Sequence, residues 1–138
     1  MKNVTGRCLC GEIEVMIKEY GDFIYVCHCS MCRRQGSGPT HACDPGTSEN
    51  FEISKGQDFL SLYCSSEDVE RGFCKNCGTK LFWHSLSDDH YCVNVELFDE
   101  ILAEGKLQLE LFYNNKPAYY DFAQETKKLD ENFQEIFL

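Results

Sequence analysis

The sequence predicts a mainly β protein with short helices at its edges, and three observations carry that reading. Apolar residues recur at every second position over short runs, the period of a half-buried strand. Turn-forming residues such as Tyr20-Gly21-Asp22 and Gly36-Ser37-Gly38-Pro39 punctuate those runs. The ten cysteines, finally, fall largely into closely spaced pairs and triplets, a pattern that suits metal cross-links within a small β domain.

The elements follow in order. Glu12 to Lys18 alternates, with Ile13, Val15 and Ile17 on one face and Glu12, Glu14, Met16 and Lys18 on the other. Phe23 to His28 continues as a second strand, and the Tyr20-Gly21-Asp22 turn between them predicts a hairpin. Ser30 to Gln35 predicts a helical turn, ended by Gly36 to Pro39. Asn50 to Ser54 and Phe59 to Cys64 read as strands joined into another hairpin by Lys55-Gly56-Gln57-Asp58. Val69 to Phe73 and Thr79 to His84 flank a cysteine knuckle. Tyr91 to Leu97 and Leu107 to Tyr113 are further strands. From Asp130, an N-cap acceptor followed by Phe133, Ile136 and Phe137 at helical spacing predicts a short terminal helix packed on the sheet.

With 138 residues, 43% of them hydrophobic and 13% aromatic, the chain reads as one globular domain over residues 1–138. A chain of this size buries roughly two thirds of its unfolded surface. No internal repeat, Pro-rich linker or low-complexity segment divides it.

Ten cysteines suit either a secreted disulfide framework or metal ligation. Met1 to Glu14 holds no apolar run long enough for a signal peptide, and no stretch approaches a membrane span, so the expected compartment is the reducing cytoplasm. The spacings C-x-C, C-x-C-x-x-C and C-x-x-C agree, because they crowd sulfurs too closely for most to pair with one another. The formal net charge is −10, from 23 acidic and 13 basic residues. Nucleic acid is not the expected partner, since no basic cluster exceeds a pair such as Arg33-Arg34. That pair reads either as a solvated surface or as an anchor for an anionic small molecule.

Two thiol groups stand out. Cys8-Leu9-Cys10-Gly11 and the knuckle Cys74-Lys75-Asn76-Cys77-Gly78 each offer two sulfurs, and together they make a closed four-thiolate set for a structural zinc. Glycine at the knuckle permits a positive backbone dihedral. Cys27-His28-Cys29-Ser30-Met31-Cys32 offers three. Alternation puts Cys27 and Cys29 on one face, and a turn brings Cys32 round to join them. Three ligands leave a fourth position for water or substrate, as in catalytic zinc sites. Cys43, Cys64 and Cys92 lie outside these motifs, either as inert core thiols or with one of them completing the second set. His28 points away from Cys27 and Cys29, which predicts a surface or supporting position.

Taken in order, Gly6-Arg7-Cys8-Leu9-Cys10-Gly11, Cys27-His28-Cys29-Ser30-Met31-Cys32-Arg33-Arg34 and Arg71-Gly72-Phe73-Cys74-Lys75-Asn76-Cys77-Gly78 resemble the glutathione-dependent formaldehyde-activating enzyme family. The resemblance implies an Mss4-like, or β-tent, fold of twisted, mostly antiparallel sheets stapled by zinc. It also implies a structural zinc on Cys8, Cys10, Cys74 and Cys77 and a catalytic zinc on Cys27, Cys29 and Cys32. The implied reaction joins glutathione and formaldehyde into S-(hydroxymethyl)glutathione, a carbon-sulfur lyase reaction in its synthetic direction, or a related step on another thiol adduct. Arg33 and Arg34 would then pair with glutathione carboxylates and offset thiolate charge. Family members often carry a tryptophan where Lys116-Pro117-Ala118-Tyr119-Tyr120 has tyrosines, which implies a different pocket wall. The alternative reading is a non-catalytic zinc module that binds a protein or a thiol metabolite.

Overall fold

The computed structural model describes residues 2–138. Strand β1 (Lys2–Arg7) pairs antiparallel with β2 (Glu14–Tyr20), which also pairs with β5 (Phe51–Lys55), making a three-stranded sheet. The remaining strands are β3 (Phe23–Cys27), β4 (Thr40–Gly46), β6 (Leu60–Cys64), β7 (Val69–Cys74), β8 (Lys80–Ser85), β9 (His90–Asn94), β10 (Lys106–Leu111) and β11 (Lys127–Lys128). They form an eight-stranded sheet in the order β11-β10-β3-β4-β9-β8-β7-β6. Most pairs are antiparallel. Strand β10 instead runs parallel to both β3 and β11. Two short helices complete the fold, α1 (Ser30–Gly36) and α2 (Asp99–Glu104).

The alternation of Ile13, Val15 and Ile17 places all three in the core, where they meet Leu81, Phe82 and Val93 of the large sheet and Phe98 and Ile101 beside it. Burying such side chains supplies roughly 1.5–3 kcal/mol each. The two sheets are therefore held face to face by the residues that the sequence pattern marks.

Both expected hairpins are absent. Tyr20-Gly21-Asp22 does turn the chain, but β2 stays in the small sheet while β3 joins the large one. Gly56 and a 3-10 turn at Gln57–Phe59 likewise carry the chain from β5 in one sheet to β6 in the other. The terminal helix is also absent. The Asp130 carboxylate does accept from the amides of Asn132 and Gln134, as an N-cap would. Phe133, however, adopts a φ of 60°, which ends any helix, and Phe133 and Phe137 stay exposed instead of packing on the sheet. Between β9 and β10 the expected strand continuation to Leu97 is a 3-10 turn at Val95–Leu97, which leads into α2.

Gly56 is required where the chain changes sheets. Its φ is 84°, and an added Cβ would lie 1.9 Å from the Glu12 carbonyl oxygen. Gly56→Ala is expected to lower stability by more than about 1 kcal/mol, read as a lower urea midpoint at unchanged slope. An unchanged midpoint would show that the crossing tolerates a side chain.

Candidate metal centres

The first thiol group joins the two sheets. Cys8 and Cys10 sit in the turn that leaves β1, closed by a bond from the Gly11 amide to the Cys8 carbonyl. Cys74 and Cys77 sit in the β7–β8 knuckle, closed by the Gly78 amide on the Cys74 carbonyl, and Gly78 has the expected positive φ of 78°. The four sulfurs lie within 4.8 Å of one another. Cys8 and Cys10 are 3.6 Å apart, and Cys10 and Cys74 are 3.8 Å apart. A tetrahedral zinc about 2.3 Å from each sulfur sets them about 3.8 Å apart, so this donor set fits the metal. Burial opposes ionisation of Cys77, yet the Thr79 hydroxyl and the backbone of Cys10 and Thr79 bring its thiol down to about 5. The Cys77 sulfur lies 3.1 Å from that hydroxyl. Desolvation pushes Cys74 up to about 11.

The second group is built by β3 and α1. Cys27 ends β3, Cys29 caps α1 by accepting from the Cys32 amide at 3.3 Å, and Cys32 is buried in the first turn. The three sulfurs lie within 4.8 Å of one another, and among the described residues no other Cys, His, Asp or Glu ligand atom joins them. Cys43, Cys64 and Cys92 therefore do not complete the set. Cys43 is a buried core thiol bonded to the Val93 carbonyl, Cys92 is half-buried, and Cys64 is exposed rather than packed inside. All ten cysteines are free thiols. Hydrogen bonds from Cys27 and Cys29, then the Thr40 hydroxyl and the Lys80 charge, hold Cys32 far below the ordinary thiol range. Sharing the same protons pushes Cys27 far above it. The three thiols thus share protons, an arrangement in which one of them ionises at the others' expense.

His28 is no part of the thiol group; β3 ends at Cys27, so strand alternation does not place it, and it is fully buried rather than at the surface. One ring nitrogen, Nε2, is 2.8 Å from the Glu110 carboxylate, and Nδ1 is 2.8 Å from the Tyr120 hydroxyl. With Nε2 donating to the carboxylate, Nδ1 accepts from the tyrosine. The rings of Tyr113, Tyr120 and Phe122 surround it. Glu110, itself 2% exposed, also accepts from Thr126 and lies 3.6 Å from the Lys128 ammonium.

Arg33 and Arg34 occupy different settings. The Arg33 guanidinium is tied to the His28 carbonyl at 2.9 Å and reaches the Asn115 carbonyl at 3.4 Å, whereas Arg34 is exposed. Together with Ser30, Ser37, Gly38 and Tyr119 they line an open cavity of about 290 Å³ on α1. Of the tyrosine stretch, Tyr119 alone lines this cavity, and it is largely exposed.

The residues that sequence reasoning missed are Arg71, Lys80, Glu110 and Tyr120. Arg71 stands inside the quoted run Arg71-Gly72-Phe73-Cys74, which is a signal for importance although not for the site it serves.

Fold and site together define a mainly β, two-sheet protein carrying one four-thiol and one three-thiol group, each able to hold a metal ion. Residues 3–115 match the glutathione-dependent formaldehyde-activating enzyme family, and the chain belongs to that family. A Schizosaccharomyces pombe protein described as an uncharacterized lyase is 34% identical over 131 residues, which cover 91% of this chain and 90% of that one. The crystal structure of a Rhodobacter sphaeroides protein superposes with a TM-score of 0.61 at 25% identity, covering 75% of this chain and 96% of the other. No helix among the described residues is long and apolar enough to cross a membrane.

Proposed function

We propose that the chain, as one domain, is a cytoplasmic zinc-dependent carbon-sulfur lyase or synthase acting on a thiol adduct, with glutathione and formaldehyde as the first candidates. The observation that supports this most is the three-thiol group without a fourth protein ligand among the described residues. The helix that carries Cys32 also carries Arg33 and Arg34, which line an open cavity. In the synthetic direction a thiol sulfur attacks the aldehyde carbon, the carbon-oxygen π bond opens, and the thiol proton ends on the oxygen of the hydroxymethyl product.

Cys27, Cys29 and Cys32 would hold the catalytic zinc, and Cys8, Cys10, Cys74 and Cys77 the structural one. Zinc at the three-thiol site supplies an electrophilic position that favours the thiolate of an incoming substrate. Arg33 and Arg34 bind the substrate's carboxylates from the cavity wall, and Tyr119 bounds it. His28, held by Glu110 and Tyr120, fixes the backbone between Cys27 and Cys29. The four-thiol group performs no chemistry in this reading, because a closed set leaves no vacancy.

The test is magnetisation exchange between 13C-labelled formaldehyde hydrate and S-(hydroxymethyl)glutathione, followed by NMR with and without zinc-loaded protein. Catalysis is expected to raise the exchange rate above the uncatalysed one, and Cys29→Ser to return it to that baseline while the fold persists. Equal rates with the intact protein and with buffer would remove this substrate pair.

A further inference from the structure

Arg71 is an oddity of the large sheet. It is only 3% exposed, in the middle of β7. Burying a guanidinium is costly unless an anion or several acceptors meet it. Its hydrogen-bond partners are neutral: Nε donates to the Ser65 hydroxyl at 3.0 Å, and one terminal nitrogen donates to the Gln35 side-chain carbonyl at 2.9 Å. None of the ion pairs among the described residues includes it. The same terminal nitrogen lies 3.8 Å from the Cys32 sulfur. The Cys32 sulfur, which metal binding would make a thiolate, is thus the group within its reach that can carry negative charge.

Lys80 repeats the arrangement from the neighbouring strand. Its half-buried ammonium donates to the Thr40 hydroxyl, Thr40 is the residue paired across from Cys27, and none of the ion pairs among the described residues includes it. Two cations from β7 and β8 thus lie near the three-thiol group, Arg71 at the Cys32 sulfur and Lys80 through Thr40.

Charge explains the pairing. Three cysteinates around one divalent zinc carry a net charge of about −1, and a thiolate substrate would make it about −2. In a partly buried site such a charge needs nearby positive groups. Arg33 donates to backbone carbonyls and Arg34 is exposed, and among the described residues neither hydrogen-bonds a sulfur of the group, whereas Arg71 does.

We propose that Arg71, assisted by Lys80, is the positioning and charge-balancing residue of the Cys27–Cys29–Cys32 metal site. This rests on the reading that those three thiols hold a metal. It also gives one hairpin two duties: β7 ends in Cys74, a member of the four-thiol group, while carrying Arg71 three residues earlier for the other group. Metal at the four-thiol group would then fix the strand that serves the three-thiol group.

The test is cobalt(II) titration of the full-length protein, read by thiolate-to-cobalt absorption, with Arg71→Met, Arg71→Lys and Lys80→Met. Wild type is expected to take two ions. Arg71→Met is expected to keep the ion at the four-thiol group and to bind the second about 10- to 100-fold more weakly, the range found when groups supporting metal ligands are lost. Arg71→Lys should recover part of that affinity. Lys80→Met, which leaves Arg71 in place, should show a smaller loss in the same direction and keeps the idea testable if Arg71→Met does not fold. Two ions bound by Arg71→Met or Lys80→Met with wild-type affinity would overturn the role of that cation alone. A wild-type protein that takes a single ion would overturn the three-thiol metal site and this proposal with it.

Discussion

Cys74→Ser is expected to leave the protein unfolded or insoluble, and a strong chelator to unfold the wild type. The four-thiol group connects the β1–β2 turn of the small sheet to the β7–β8 knuckle of the large one, positions 64 residues apart at the Cys10–Cys74 contact. Structural zinc contributes an apparent 10–16 kcal/mol in finger peptides, roughly the whole stability of a typical domain. Loss of one sulfur leaves three thiols for the metal that staples the two sheets, and the apolar core between them is left to hold them without that contribution. The check is far-UV circular dichroism and solubility of the variant, with metal content of any soluble fraction. A soluble, folded Cys74→Ser protein with zinc still bound between the sheets would contradict the assignment.

The second large effect is expected at Glu110. Its carboxylate is buried and serves His28, Thr126 and Lys128 together, so Glu110→Ala removes a charge and strands three partners. Breaking a buried pair from one side costs about 3–5 kcal/mol, because the remaining groups stay desolvated without compensation. Glu110→Gln keeps the shape and an acceptor and should lose less. Urea unfolding of the metal-loaded proteins reads both. A Glu110→Ala change under about 1 kcal/mol would show that this network is not a significant support. Because His28 lies between Cys27 and Cys29, the same variant should also loosen the three-thiol group, visible as faster alkylation of its thiols.

Local features were legible in the sequence, and non-local ones were not. Ile13, Val15 and Ile17 announce a half-buried strand through their own alternation, and all three are fully buried. The thiol groups were legible because their ligands come in short turns: a single turn brings Cys27, Cys29 and Cys32 together, whereas the four-thiol group needs two such turns, Cys8–Cys10 and Cys74–Cys77, to meet across the fold. Pairing partners were hidden. Tyr20-Gly21-Asp22 and Lys55-Gly56-Gln57-Asp58 have the residues of hairpin turns, but whether the following strand folds back or crosses to another sheet depends on distant apolar surface. Asp130 likewise carries the chemistry of a helix cap, and the backbone uses it for a turn instead.

The supporting residues of the three-thiol site were hidden for the same reason. Arg71 meets Cys32 across 39 residues, Glu110 meets His28 across 82, and Tyr120 meets His28 across 92. Alternation sorts residues between two faces of a strand, but it does not say that a second layer covers the polar face. Here the segment through Thr126 and β11 covers Glu110, and the aromatic stretch from Tyr113 to Phe122 covers His28. Family membership adds the reaction class, which no spacing of cysteines conveys.

The central claim is that one thiol group is closed and the other open to a substrate thiol. Native mass spectrometry tests it most directly, on protein purified without oxidant or chelator, with and without glutathione. Two zincs per chain, with glutathione adding to the two-zinc species and lost in Cys29→Ser, is the predicted result. One zinc per chain, indifferent to glutathione while all ten thiols remain reduced, would contradict it.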